Sequence, residues 1–297
     1  MFDQFAPQPA SPLHQSREYE SALMRFGHAP LRLADGTLAL QRRFGPLRLL
    51  MLPRCRPARL DSLQATLRAD GLAHLPVILA PEAPAPHWLG RGPVPLMAPD
   101  SHAVLPLYPD IARQRAALHQ KWRNRLARAE RSPLMTTCAP LTGGRAAWLF
   151  AADRAQRAAR GYRGWPEALT LAYGRANPGK ASLFTAQIKG RPVAAMVVLR
   201  HGAAASYHIA HTTAEGRAHN AHNLLLWQAI TQLARSGCAG FDLGRIDTET
   251  APGLARFKLG TGAVAKPAGG SWIWWPPAGR APGALSRLDA RAMRGAG

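Results

Sequence analysis

The chain has 297 residues, 47% apolar and 19% charged, and its 38 basic residues outnumber 17 acidic ones for a net charge of +21. That composition excludes a disordered chain, gives room for one large core or two small ones, and points to a polyanionic partner: nucleic acid, an anionic membrane or a phosphorylated ligand. No apolar run approaches the roughly 20 residues that span a bilayer. The start MFDQFAPQPASPLHQ has neither the basic nor the apolar region of a secretory signal. Three widely spaced cysteines, Cys55, Cys138 and Cys238, fit a reduced, cytoplasmic protein and exclude a disulfide scaffold or a zinc finger. Arginine supplies 33 of the basic residues and lysine 5. GC-rich codon usage accounts for part of that skew, but not for the shortage of acids.

In chain order, a Pro-rich start leads to a helix over 16–26, with Tyr19, Leu23 and Phe26 on one face and Gly27 as its stop. A meander follows: 31–33, an Asp35-Gly36 turn, 38–44, a Gly45-Pro46 turn, then 48–52. A helix over 60–69 buries Leu60, Leu63 and Leu67, a strand covers 75–79, and Pro-rich residues 81–109 read as an extended connection. One long helix is expected over 111–131, with Leu118, Trp122, Leu126 and Ala129 as its apolar stripe and Pro133 beyond its end. It carries seven basic residues against Glu130, so Arg123, Arg125 and Arg128 are expected on a face open to a phosphate-bearing partner. Two helices, 145–160 and 166–176, precede strands at 181–188, 192–199 and 203–211. A loop over 214–222 leads to a helix over 223–236, a strand over 239–243 and a Gly-rich loop holding Phe257 and Lys258. The last strand is 271–275, with Trp272 and Trp274 sharing one face, and a basic tail follows. The strands at 181–211 and 239–243 should form one sheet with helix 223–236 against it.

The step from strand 203–211 to helix 223–236 sets orphan N–H groups and a positive dipole end at one corner, with Asn220 or Asn223 as cap. Asp242 is the acid inside strand 239–243, either capping the following loop or acting as base or amine anchor. Asp247 and Glu249 are lesser candidates for holding a cationic acceptor. His208 and His211, three apart on a strand, point to opposite faces and should not share a metal, so no metal site is expected. Either His208 or Tyr207 faces the cleft and handles a proton. Cys138 and Cys238 read as buried apolar residues.

Four stretches carry a family resemblance: KWRNRLARAER (121–131), RGYRGWP (160–166), LFTAQIKGRPVAAMVVLRHGAAASYHIAHT (183–212) and NLLLWQAITQLARSGCAGFDLGRIDTETAPGLARFKLGTG (223–262). From about residue 118 the chain resembles the Fem family of peptidoglycan bridge-forming aminoacyltransferases and related bacterial acyltransferases, within the GNAT superfamily. The resemblance implies an α+β fold with a GNAT-like mixed sheet flanked by helices. It implies two tandem units, the first (1–110) shortened and degenerate, the second (111–276) catalytic, then a basic tail (277–297). The implied activity is N-acyl transfer from acyl-CoA or aminoacyl-tRNA to a primary amine on a small molecule or peptide, with no tightly bound cofactor. A cationic face contacting tRNA or an anionic membrane is the accompanying expectation. The alternative is a non-catalytic GNAT-like module that binds RNA or anionic membrane through that face.

Lys258 lies in the family's F-K-x-G motif and is expected to stabilise the oxyanion of the transferred carbonyl, projecting from a loop into the cleft between the strands, with Phe257 packed under it. Gly260 and Gly262 allow close backbone approach. Tyr162, Arg163 and Trp165 resemble the substrate-side stretch, and Arg123 and Arg163 are candidate phosphate or carboxylate clamps. Arg217 joins Asn220 and Asn223 as donor-binding candidates. The loop TAEGRAHNAH departs from the Q/R-x-x-G-x-G/A pattern of acetyl-CoA enzymes, having Gly216 alone, and the helical arm of the large Fem enzymes is absent.

Overall fold

The structure is a computed structural model and describes residues 11–279. These residues divide into two compact units. One holds the described residues through Phe26 together with His102–Ala265, and the other holds Gly27–Ser101 and those from Lys266. The expected division at 110/111 therefore differs from the observed one at both ends of the chain. Of the expected tail, 277–279 continue a short helical turn, and 280–297 lie outside the described residues.

The unit of the N-terminal half is built on a six-stranded sheet in the order β1-β2-β3-β4-β13-β5. Its strands are β1 (Leu31–Arg32), β2 (Leu38–Phe44), β3 (Leu47–Cys55), β4 (Val77–Pro81), β5 (Val94–Met97) and β13 (Ser271–Trp274). The Asp35-Gly36 and Gly45-Pro46 turns close antiparallel ladders, because Gly36 (φ 81°) and Gly45 (φ 59°) occupy left-handed backbone that other residues avoid. Helix α2 (Leu60–Ala69) carries the chain from β3 to its parallel neighbour β4. It lays Leu63 and Leu67 on a core with Leu50, Leu52, Val77, Leu79 and Trp88. The expected final strand belongs to this sheet and not to that of strands 181–211. Alternation turns Trp272 and Trp274 inward, and Trp272 meets the edge of Trp88 at 5.8 Å. Strand β5 was hidden among the prolines of 81–109.

The other unit begins with α1 (Arg17–Arg25), whose N-cap Ser16 accepts the Tyr19 N–H at 3.1 Å. Its seven-stranded sheet runs β12-β6-β11-β10-β9-β8-β7. The strands are β6 (Ser101–Pro106), β7 (Met135–Pro140), β8 (Ala181–Ile188), β9 (Arg191–His201), β10 (Ala204–Thr212), β11 (Gly240–Ile246) and β12 (Val264–Pro267). Strands β8 to β11 share one sheet, as expected, and β10 and β11 are parallel. The crossover between them is α7 (Ala214–Ala218) and α8 (Ala221–Arg235). Leu225, Leu226, Ala229, Ile230 and Leu233 of α8 pack into the core with Phe184, Met196, Val198 and Phe241. Helix α8 ends where Gly237 turns left-handed (φ 77°) and the Cys238 N–H returns to Leu233 O at 3.0 Å. The remaining helices are α3 (Ile111–Ala116), α4 (Gln120–Glu130), α5 (Gly143–Arg160), α6 (Glu167–Ala176) and α9 (Pro252–Leu259).

Three expectations change here. The single helix over 111–131 is two, because Asp110 and His119 each cap a new start: the Asp110 carboxylate accepts the Ala112 and Arg113 N–H groups, and His119 Nδ1 accepts that of Lys121. The Gly-rich loop holding Phe257 and Lys258 is helix α9, with Pro252 in its first turn, where a missing N–H costs nothing. Cys138 is exposed on the sheet-edge strand β7, whereas Cys55 and Cys238 are buried. Among the described residues no helix is long and apolar enough to cross a membrane.

Candidate active site

Strands β10 and β11 pair as Ala204↔Gly240, Ala205↔Phe241 and Ser206↔Asp242, and their ladder goes no further. Both strands are distorted just beyond. A bulge between Tyr207 and Ile209 shifts β10 against β9. On β11, Gly244 takes φ 80° and donates its N–H to Asp242 Oδ1 at 2.7 Å. Bulges re-aim side chains, and beyond Ser206 and Asp242 the two strands part, leaving a candidate cleft between them.

Helix α9 returns alongside β11 and carries Lys258 to this cleft. Its side chain is buried (7% exposed) and its Nζ donates to Arg245 O at 2.7 Å. Nζ lies 6.0 Å from the Tyr207 ring centroid, and a Cβ built on Gly244 would stand 3.6 Å from it. Burial pulls the lysine pKa down to about 8, while the charge of Asp242 opposes the fall. The Tyr207 hydroxyl is 2.8 Å from His222 Nε2, and His222 Nδ1 is 3.3 Å from Thr212 Oγ. Burial raises the Tyr207 pKa and lowers that of His222 to about 4, so both are neutral at pH 7. Phe257 packs on His222 (5.5 Å) and Trp122 (6.1 Å), and its carbonyl accepts Trp122 Nε1–H at 3.1 Å. Lysine, tyrosine and imidazole thus converge where the sheet parts.

A family model described as an acetyltransferase (GNAT) domain matches residues 112–259. This chain carries a GNAT acetyltransferase domain. The matched segment runs from α3 to the end of α9 and so contains both the cleft and Lys258. Among solved structures, FemX is similar at 11% identity and a TM-score of 0.72, over 90% of this chain and 93% of that one. A conserved protein of unknown function from Bacteroides thetaiotaomicron VPI-5482 is similar at 13% identity and a TM-score of 0.59, over 89% and 91%. L-PGS from Bacillus licheniformis is similar at 14% identity and a TM-score of 0.51, over 93% and 95%. These likenesses are of fold. No curated protein matches the sequence.

The expected site residues fall into separate groups around the GNAT domain. Lys258, Phe257 and Tyr207 line the cleft, with Asp242 beside it holding the Gly244 turn and standing 3.6 Å from His102 Nδ1. His208 does not join them. Next to Tyr207 on the strand, it faces the opposite side and reaches α6, where Nε2 is 2.9 Å from Thr170 Oγ and the ring lies 4.6 Å from Trp165. Burial drives its pKa to about 3, so it is a neutral packing group. His211 meets Trp148 of α5 at 5.5 Å, so the bulge cancels the expected opposition of His208 and His211. Trp165 stacks on Tyr19 at 5.0 Å. Tyr162 accepts from Gln156 Nε2 at 2.9 Å and, with Arg163, lies on the exposed loop after α5.

At the start of α8, Asn220 is left-handed (φ 53°) and makes no side-chain cap, contrary to expectation. Asn223 is buried, and its Nδ2 has no hydrogen-bond partner among the described residues. Arg217 donates to Thr212 O at 2.7 Å, and Arg123 to Ala116 O at 2.9 Å. Arg125 and Arg128 are exposed on α4 as expected, while Arg123 is half-buried. The glycines of the F-K-x-G-x-G stretch serve packing. A Cβ on Gly260 would reach 2.9 Å from Trp122 Cδ1, and one on Gly262 would reach 2.9 Å from Ala117 O.

The β10–α8 connection is closed on itself. Gly216 N–H bonds Thr213 Oγ, Arg217 N–H bonds Thr213 O, His219 N–H bonds Glu215 O and Asn220 N–H bonds Arg217 O. A Cβ on Gly216 would collide with Val193 O. Gly216→Ala should therefore force backbone apart and destabilise by about 1–3 kcal/mol, read as a lower denaturation midpoint at unchanged m-value. Equal stability would mean that this turn shifts freely.

His222 is the cleft residue that sequence reasoning missed. Its signal was its place just after the left-handed Asn220, where the first turn of α8 meets the end of β10. Among the described residues no cluster of His, Cys, Asp and Glu could hold a metal ion.

Proposed function

We propose that the chain transfers an acyl or aminoacyl group from an activated ester or thioester to a primary amine, in a ternary complex at the β10–β11 cleft. The observation that carries this reading is the buried Lys258 Nζ at the point of strand separation. Attack of the amine on the carbonyl makes a tetrahedral oxyanion. An ammonium fixed in a water-poor cleft favours that charge more than the ground-state carbonyl. With a pKa of about 8, Lys258 is roughly nine-tenths protonated at pH 7 and ready to serve. The acceptor must shed a proton, and Asp242, partly open to solvent, is the carboxylate placed to draw it. Tyr207, held by His222, is a neutral hydroxyl donor for the leaving group.

A GNAT domain implies acyl-CoA as co-substrate, and a CoA pyrophosphate is usually met by free loop amides. Here four amides of that connection are turned inward, which favours a donor held by other contacts, such as aminoacyl-tRNA. The deciding experiment offers the purified protein acetyl-CoA, longer acyl-CoAs and charged tRNA against a panel of primary amines. Turnover with any donor supports acyl transfer and names the donor class. No turnover with any, in a protein that binds RNA or anionic vesicles, would give the non-catalytic module its place.

A further inference from the structure

Residues 36–60 hold six arginines (Arg42, Arg43, Arg48, Arg54, Arg56 and Arg59) and no acid. Half of these arginines sit on one protruding element. Strand β1 pairs with β2 only at Leu38 and Ala39, and β4 pairs with β3 only from Leu50 onward. Residues 42–44 and 47–49 therefore pair with each other and with nothing else: Arg42↔Leu49, Arg43↔Arg48, Phe44↔Leu47. The two-stranded arm runs beyond its paired neighbours by roughly 10 Å, at about 3.3 Å per residue, with Leu49 buried at its base.

This arm breaks two rules that govern a hairpin evolved for stability alone. Arg43 and Arg48 stand directly opposite each other, a like-charge pair that weakens a ladder. The turn between the strands is Gly45-Pro46, followed by Leu47, which is 51% exposed. No carboxylate among the described residues pairs with Arg42, Arg43 or Arg48, and Arg42 Nη1 donates to Gln41 O at 3.1 Å. Pair alternation sets Arg42 on one face of the arm and Arg43 and Arg48 on the other. An apolar tip with cations on both faces behind it matches a layered anionic surface: acyl chains at the tip, phosphates around the collar. The overhang also matches the 5–10 Å depth at which peripheral elements sit in a bilayer interface.

We propose that the β2–β3 arm docks the protein on an anionic lipid surface, with Leu47 entering the interface and Arg42, Arg43 and Arg48 meeting lipid phosphates. Repulsion between Arg43 and Arg48 in the free protein would be relieved by the phosphates they share. Nucleic acid would be served by the same cations, but it gives an exposed leucine nothing to enter.

The test measures co-sedimentation of the full chain with equimolar phosphatidylcholine–phosphatidylglycerol vesicles and with phosphatidylcholine vesicles, at low and high salt. Binding should require phosphatidylglycerol and fall with salt. One surface arginine is worth about fivefold in partition, so Arg43→Gln with Arg48→Gln should lower binding about 30-fold. Leu47→Asp should weaken it as well. The double variant should melt no lower than the parent, since it removes a repulsive pair, and a lower melting temperature would count against that premise. Equal binding to both vesicle types, or undiminished binding of the double variant, overturns the proposal. So does single-stranded RNA binding that is lost in the double variant and kept in Leu47→Asp, which would reassign the arm to nucleic acid.

Discussion

Lys258→Met lowers kcat by ~10²–10³, the usual cost of losing one oxyanion donor, and at the same time raises stability near neutral pH. The second half follows from the lysine's burial. Its folded pKa, about 8, lies below the ordinary value of 10.5, so the unfolded chain holds that proton more firmly. Stability then rises with pH between those two values and carries the whole penalty at pH 7, roughly 3 kcal/mol. Methionine removes the penalty and leaves Arg245 O without its donor, a loss of about 1 kcal/mol. A net gain of about 2 kcal/mol should appear in denaturant unfolding at pH 7 and vanish above pH 10. Lys258→Arg should rescue turnover poorly, because a planar fork does not fit where a compact ammonium meets a single carbonyl. Asp242→Asn keeps an oxygen for the Gly244 N–H. It should be mild if Asp242 only holds that turn and severe if it takes the acceptor's proton. Near-normal kcat/KM in Lys258→Met on the true substrates would remove the lysine from catalysis.

Acid should unfold this protein at a pH where many domains persist. His201 is buried and His208 and His222 are half-buried, and all three are neutral, with folded pKa values of about 4, 3 and 4. Burial is the leading cause for each. In the unfolded chain each takes up a proton near pH 6.5. As pH falls from 6.5 toward 4 the unfolded state binds up to three protons that the fold refuses, so stability is lost through that window. At pH 5 the loss is roughly 2 kcal/mol per histidine, a total comparable with the whole stability of an ordinary domain. Asp153 and Glu82, whose carboxyl pKa values are raised by burial, offset part of this. Melting temperature against pH should drop steeply below 6.5, and His201→Gln should flatten the drop. A flat profile down to pH 4.5 would mean that these imidazoles reach water in the folded chain.

The legible parts were those where local chemistry and global packing agree. Helix α2 and strands β8–β10 follow from apolar period and glycine turns. Lys258 stood out because the chain otherwise uses arginine, and its position in the cleft agrees with that reading although its helix was missed. Pro252, Gly253 and Gly260 masked α9: a proline in the first turn looks like a breaker until the cap is seen. Prolines 93, 95, 99 and 106 likewise hid β5 and β6. The break between α3 and α4 lies at Ala117–His119, where no glycine or proline marks it: His119 caps the new start and its own N–H donates to Gly260 O at 2.9 Å. His208 is the half of the Tyr207–His208 alternative that faces away from the cleft, whereas the facing of His211 changed for a longer-range reason. A one-residue bulge reverses every facing beyond it, and neither Tyr207 nor Ile209 announces one.

Each sheet takes a strand from the far side of the chain. Strand β6, made early, lies beside β11, and β13, made last, lies between β4 and β5. This sets an order on the ribosome. The C-terminal domain can gather its pieces as they emerge, since β6 waits ahead of the strand it flanks. The N-terminal sheet cannot close, because β4 keeps an open edge and β5 has no neighbour until residues 271–274 leave the exit tunnel. Until then an unpaired hydrophobic edge stays open, the condition under which nascent chains recruit chaperones or aggregate. The unit drawn mostly from residues 27–101 is thus the one that finishes folding last.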